Sequence, residues 1–221
     1  MNLELTMEQK MIQKMVREFT ENEVKPIAAE TDRTAQYPAD TIDQLFRYGV
    51  MGMCVPKEYG GAGADVLSAA LAVEELSKYC ASTGDIVATH NGLCCDPILA
   101  NGTEEQKKKY LPEVLSGKKM GSFCLTEPDA GSDAAGCKTT AIWNGKEYIL
   151  NGLKCFITNG GIASFYCITA MTDKTKGVKG ISMFLVDAGT PGLSTGNEEN
   201  KMGIRTSNTC DVVLEDCRIP A

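Results

Sequence analysis

From Thr103 to Gly136 the chain reads TEEQKKKYLPEVLSGKKMGSFCLTEPDAGSDAAG, and its character changes in the middle. Thr103 and Gln106 are spaced as a capping box, so a helix starts there, and Gly117 ends it. From Gly121 a short apolar run, 121–126, leads straight into a turn of acids, a proline, small residues and glycines. A helical half therefore gives way to a β half near 118–121. The predicted division is a helical domain over 1–118 and a β domain over 119–221.

Upstream of this junction the apolar residues keep a helical period. Thr6 and Gln9 form another capping box, followed by Met11, Ile12, Met15, Val16 and Phe19 on one stripe. Pro26 is expected to kink or end that helix. A second helix starts at Pro38, buries Ile42, Leu45 and Phe46, and stops at Gly49. The glycines of VPKEYGGAGAD (Val55–Asp65) mark a loop. Helices over 66–79 and 85–99 follow, the latter bent near Pro97. Connections this short predict an antiparallel bundle.

Downstream the runs are short and rich in Val, Ile, Thr, Phe and Tyr, with glycine turns between them. The strands read as 121–126, 137–143, 146–151, 153–158, 164–171, 181–187 and 210–215. Asn144-Gly145 is a hairpin signal. Many short strands predict a small antiparallel β-barrel.

Composition narrows the function classes. A net charge of −7 and no basic stripe argue against nucleic-acid binding. Lys107, Lys108 and Lys109 sit beside Glu104 and Glu105, the pattern of a solvated helix face. No apolar run approaches the ~20 residues of a membrane span. No basic start with an apolar core and a cleavage site marks a secretion signal. The ten cysteines are scattered without a CxxC pair and read as reduced thiols, which implies a cytoplasmic protein. His90 is the sole histidine, so a Ser-His-Asp triad or a His-rich metal site would have to rest on it. It reads as structural, and no metal site is expected.

The turn after 121–126 has a chemistry of its own. Small residues after a strand leave N–H groups facing open space, where they can meet anionic oxygens. Gly131 allows close approach to the backbone, Ser132 adds a hydroxyl donor, and Thr126 can bond a ring heteroatom. An ordinary β-turn would use the same residues. LKCFITNGG (Leu153–Gly161) is a second strand with a similar end. Together two such ends could hold a flat polar ring, with an aromatic on its face or edge and a threonine at its rim.

FCLTEPDAGSD followed by FITNGG resembles the acyl-CoA dehydrogenase family of flavoproteins, most closely its short-chain, butyryl-CoA-type bacterial members. VPKEYGGAGAD, HNGLCCDPILANGTEEQKKKYLPEVLSGKKMGSF and MGIRTSNTCDVVLEDCRIP also resemble that family, in the same order. The resemblance spans essentially the whole chain. It implies FAD as cofactor and a cofactor-binding set of Phe123, Cys124, Leu125, Thr126, Gly131, Ser132, Phe156, Ile157 and Thr158. Within that set it implies that Thr126 bonds the pyrimidine side of the flavin and Thr158 reaches toward N5. Ser132 is the implied substrate contact, to the pantetheine of an acyl-CoA. Many relatives have tryptophan where this chain has Phe156, which keeps a stacking face but loses an indole donor.

The implied reaction is α,β-dehydrogenation of a short-chain acyl-CoA to the trans-2-enoyl-CoA. A carboxylate removes the α-proton, the β-hydrogen leaves as hydride, and electrons pass to an electron-transfer flavoprotein. The family's C-terminal four-helix domain would begin where this sequence stops, at Arg218–Ala221. The resemblance places the catalytic base and the main interface of a homotetramer in that domain, so no catalytic residue is assigned here and the 221-residue chain alone is expected to be inactive. Glu127 reads as a turn residue and Asp133 as a brace of the same turn. Arg205 reads either as a contact to an anionic group of CoA or as a surface ion pair. A non-catalytic flavin- or acyl-CoA-binding or assembly module, and an acyl-CoA oxidase-like flavoprotein, stand as alternatives.

Overall fold

The computed structural model describes residues 4–220. Its contacts divide into two compact units. One runs up to Lys119 and takes in Asn200–Ser207; the other is Met120–Glu199 with the residues from Asn208 on.

The first unit is helical. Thr6 Oγ1 accepts from Gln9 N at 3.2 Å, and Gln9 Oε1 accepts from Thr6 N at 2.9 Å. This capping box opens α1 (Met7–Phe19), which buries Val16 and Phe19. The helix does not stop at Pro26. A π-turn over Thr20–Val24 carries it into α2 (Lys25–Thr34). In an ordinary α-helix the proline ring would press on the carbonyl four residues back, that of Asn22. Widening the coil at that point relieves the clash and keeps the helix going. After α3 (Ala39–Arg47) come α4 (Val66–Ser77) and α5 (Ala81–Ala88). A second π-turn, Thr89–Cys95, then leads into α6 (Asp96–Asn101), which carries Pro97. Where a bend is expected near Pro97, the structure has this π-turn, placed ahead of its proline as the first one is. The unit's last helix is α7 (Glu104–Leu115), opened by the capping box at Thr103.

A buried carboxylate joins α1 to α4. Arg17 donates twice to Glu75, at 2.8 and 3.2 Å, and Lys78 donates at 2.8 Å. Asp65 caps α4 through Ser68 N at 2.7 Å and accepts from Gln9 Nε2 at 2.7 Å, so the start of α1 and the start of α4 share one residue.

The second unit is a seven-stranded sheet: β1 (Gly121–Cys124), β2 (Thr140–Trp143), β3 (Glu147–Thr158), β4 (Phe165–Met171), β5 (Ile181–Asp187), β6 (Leu193–Glu198) and β7 (Thr209–Pro220). The order is β1-β4-β2-β3-β7-β6, with β5 also paired to β4. The expected antiparallel barrel is corrected to a curled, mixed half-barrel. β1 runs parallel to β4 from Gly121↔Phe165 to Cys124↔Ile168, and β2 meets β4 in parallel at Thr140↔Met171. Alternation and turn residues mark strands but carry no direction. Direction follows from the connection, and here β1 rejoins its neighbour only after the β2–β3 hairpin has intervened.

The hairpin forms where Asn144-Gly145 predicts it. Gly145 takes φ +99°, and Asn144 Oδ1 accepts from Lys146 N and Glu147 N, both at 2.9 Å. The two strands read at 146–151 and 153–158 are one, with register shifts at Leu150/Gly152 and Lys154/Ile157. A Cβ on Gly152 would fall 2.3 Å from Thr139 Oγ1, so the first shift needs glycine. β6 has no counterpart in the sequence reading: LSTGNE is polar and mostly exposed, an edge strand held by β7 on one side. Leu150, Ile168, Val186, Val212, Leu214 and Cys217 fill the interior of the curl.

Candidate functional site

The site is built at the ends of β1 and β3. Three ties bring these ends together. Ser122 Oγ donates to Thr158 O at 2.7 Å, Cys155 N donates to Thr126 O at 2.8 Å, and Lys154 Nζ donates to Leu125 O at 3.1 Å. The segments 123–132 and 156–158, far apart in sequence, thus become one surface.

Beneath that surface lies a buried ion pair. Lys154 Nζ and Glu127 Oε1 are 2.8 Å apart, with side chains 0% and 4% exposed. Glu127 also accepts from Lys138 N (2.7 Å), Thr139 N (3.1 Å) and Cys137 Sγ (3.1 Å). Burial pushes its carboxyl up, but the hydrogen bonds from Lys154, Thr139, Lys138 and Cys137 together outweigh this and hold it at about 2. Glu127 and Ala130 exchange backbone hydrogen bonds of 3.1 Å each, closing the turn that leads to Gly131 and Ser132. Glu127 therefore organises the turn; Asp133 makes no side-chain capping bond, and its backbone oxygen accepts from Gly136 N at 3.0 Å in the short 3-10 turn that follows.

Phe156 supplies the second feature. The register shift between Lys154 and Ile157 puts Phe156 at φ +57°, a conformation that costs an aromatic residue energy, and leaves its side chain 67% exposed. The neighbours Cys155 and Ile157 are buried on either side. The bulge thus turns one large ring outward from the end of a buried strand.

The nine residues expected to hold the cofactor fall into two groups. Phe123, Leu125, Thr126, Gly131, Ser132, Phe156 and Thr158 are exposed or half-buried. Cys124 and Ile157 are sealed in the core, at 0% and 2% exposure, so only their main chain remains for a ligand. A Cβ placed on Gly131 would meet nothing within 4 Å, so the approach to that backbone is open. An outward aromatic face, two threonines at strand ends and an open small-residue turn are a fitting set for a flat ring system carrying an anionic tail.

The sequence reading missed Lys154. A lysine inside the strand LKCFIT is a faint signal, and the bulge hides it, because Lys154 and Cys155 are both buried although adjacent in a strand. Arg205 lies in the first unit, where its side chain donates to Asp32 O (3.1 Å), Asn200 Oδ1 (2.8 Å) and Lys201 O (2.8 Å). His90 is fully buried in the π-turn with neither ring nitrogen hydrogen-bonded, edge-on to Phe46 at 5.2 Å. Burial holds its pKa down to about 4, consistent with a structural role. None of the ten cysteines is in a disulfide. Among the described residues no group of three or more metal-ligating side chains assembles, and no helix is long and apolar enough to cross a membrane.

Residues 6–118 match the model of the acyl-CoA dehydrogenase N-terminal domain, and residues 122–217 match that of the middle domain. The chain belongs to the acyl-CoA dehydrogenase family. It is 52% identical to the short-chain-specific acyl-CoA dehydrogenase of Clostridium acetobutylicum over all of this chain and 58% of that protein. It is similar to butyryl-CoA dehydrogenase of Megasphaera elsdenii, with a TM-score of 0.95 and 44% identity over all of this chain and 59% of that one. A chain from the solved structure of the electron transferring flavoprotein of Acidaminococcus fermentans gives a TM-score of 0.95 and 48% identity over all of this chain and 58% of its own. This member of the acyl-CoA dehydrogenase family thus spans somewhat more than half the length of the relatives it matches.

Proposed function

We propose that this chain carries the flavin-facing and acyl-CoA-facing elements of an FAD-dependent dehydrogenase of short-chain acyl-CoA thioesters. The reaction is conversion to the trans-2-enoyl-CoA, with electrons passed on to an electron-transfer flavoprotein. Residues 1–118 form its helical part and 119–221 the part that binds cofactor and substrate. The observation that carries this reading is the joining of the β1 and β3 ends by three ties, with Phe156 turned outward between buried neighbours.

FAD, when bound, supplies the hydride acceptor. The chain's own residues bind and orient. The Thr126 hydroxyl and the backbone around it meet the pyrimidine side of the ring system, Thr158 meets its N5 edge, and Phe156 packs against it. Ser132, beside open Gly131, donates to the acyl-CoA. Glu127 is not the base that removes the α-proton: it is buried, paired with Lys154 and held ionised by several donors. Asp129 is ion-paired with Lys138 at 2.5 Å. The reading places proton abstraction outside residues 4–220, so the purified 221-residue chain is expected to leave butyryl-CoA unoxidised.

The test is a visible absorption titration of the purified chain with FAD. A flavin band that shifts but saturates only at high FAD concentration is the expected result, since a pocket offering only part of its contacts binds more weakly. An unperturbed spectrum in a folded protein would overturn the claim that these elements suffice to hold the cofactor.

A further inference from the structure

Lys154 is among the largest side chains that are fully buried within the described residues. A sheet interior gains little from an ion pair, since an apolar residue of similar volume serves stability as well or better. Its presence calls for some other use. An ammonium has three protons to donate, and Lys154 Nζ has three oxygens within reach: Glu127 Oε1 at 2.8 Å, Leu125 O at 3.1 Å and Thr169 Oγ1 at 3.1 Å. Thr169 Oγ1 in turn donates to Cys124 O at 3.2 Å, and Cys155 N donates to Thr126 O at 2.8 Å.

Three successive carbonyls, those of Cys124, Leu125 and Thr126, are therefore all gripped by protein donors. A trans peptide is planar and points its N–H opposite to its carbonyl. With the Leu125 carbonyl held toward Lys154, the Thr126 N–H points away from it. Glu127 is the carboxylate that pairs with Lys154 Nζ at 2.8 Å, and it ties the same loop to the start of β2 through Lys138 N and Thr139 N.

We propose that Lys154 is a positioning residue: it locks the Leu125–Thr126 peptide so that the Thr126 N–H and hydroxyl present one fixed edge to the flavin. The proposal rests on the flavin reading above, and it assigns Lys154 no contact with the cofactor. Glu127 acts through Lys154.

Two readouts on the purified 221-residue chain test it: amide hydrogen exchange without flavin, and titration with FAD. Lys154→Met removes the donor to Leu125 O at nearly constant volume. The expected result is faster exchange confined to the 125–130 turn and FAD binding weaker by about tenfold. Glu127→Gln keeps the ammonium on Leu125 O, so it should lower the melting temperature with a smaller loss of FAD affinity. Should Lys154→Met fail to fold, the double variant Lys154→Met/Glu127→Gln removes both charges together. It should recover stability yet keep the FAD defect, a separation that a merely structural pair would not give. Loop exchange or FAD affinity at the wild-type level in the folded lysine variants overturns the proposal. A wild-type chain that leaves the flavin spectrum unchanged overturns instead the claim that these elements suffice to hold the cofactor. The loop exchange of the lysine variants, read without flavin, then supports or overturns the positioning role by itself.

Discussion

Among the described residues each unit contains one buried glutamate paired with a cation, and the two are built for different ends. Glu75 is 1% exposed, but its partners Arg17 and Lys78 are 48% and 44% exposed. Glu127 is 4% exposed and its partner Lys154 not at all. Burial opposes ionisation of both carboxylates, and hydrogen bonds from their partners hold both at about 2. In the first unit the cations remain in water and reach inward to pin α1 against α4, so only one charge is desolvated. In the second both charges are desolvated, and the lysine is left to grip a loop carbonyl. The first arrangement serves packing; the second sacrifices some stability to fix a surface.

The sharpest way to break this contrast is to remove one cation. Lys154→Ala leaves Glu127 buried without its ammonium and should cost about 3–5 kcal/mol in urea unfolding. Loss of the half-exposed Lys78 as Lys78→Ala should cost well under that, because Arg17 stays and solvent screens the site. Equal losses would mean that exposure of the cation does not distinguish the two glutamates. Next in size is the protonation of His90. Its folded pKa of about 4 lies below the ordinary value of ~6.5, so the unfolded chain binds the proton first. Stability should therefore fall as pH drops from about 6.5 toward 4, by about 3 kcal/mol in all. The two glutamates act lower: their stabilisation is present above the unfolded value of ~4.3 and is lost as pH falls toward about 2. His90→Leu should flatten the upper window and leave the lower one in place. A stability profile in which the substitution changes nothing between pH 6.5 and 4 would refute this assignment. Smaller still is Glu75→Gln, at about 1–2 kcal/mol, since both freed cations can turn to water.

Much of the helical unit was legible because its signals are local. The capping boxes at Thr6 and Thr103 and the stops at Gly49 and Gly117 each depend on a few adjacent residues. The continuation through Pro26 was not legible, since a π-turn leaves no mark in the periodicity of a short stretch. In the sheet unit the strands could be read, but their directions could not, and β6 was hidden by its polar sequence. The candidate site shows the same divide. Thr126, Gly131 and Thr158 stand out as strand-end and turn chemistry. That Ser122 and Lys154 tie those ends together depends on the parallel pairing of β1 with β4 and on a bulge in β3, both set by long-range contacts.

The bulge also yields the prediction with the smallest effect on stability and the most direct bearing on function. Phe156 is 67% exposed and sits at φ +57°. An exposed ring contributes little burial, and a left-handed backbone favours glycine over any residue with a Cβ. Phe156→Gly should therefore leave the melting temperature unchanged or raise it slightly, with a stability change within about 1 kcal/mol. That a chain keeps a strained, exposed aromatic at the end of a buried strand makes sense only if the ring meets something outside the fold. Under the flavin reading the same substitution should weaken FAD binding by about tenfold or more, comparable to Lys154→Met but without its loop disorder. A glycine variant that melts well below the wild type would show that the ring packs within the protein. One that is equally stable and equally able to bind FAD would remove Phe156 from the site and leave its backbone strain without a ligand to explain it.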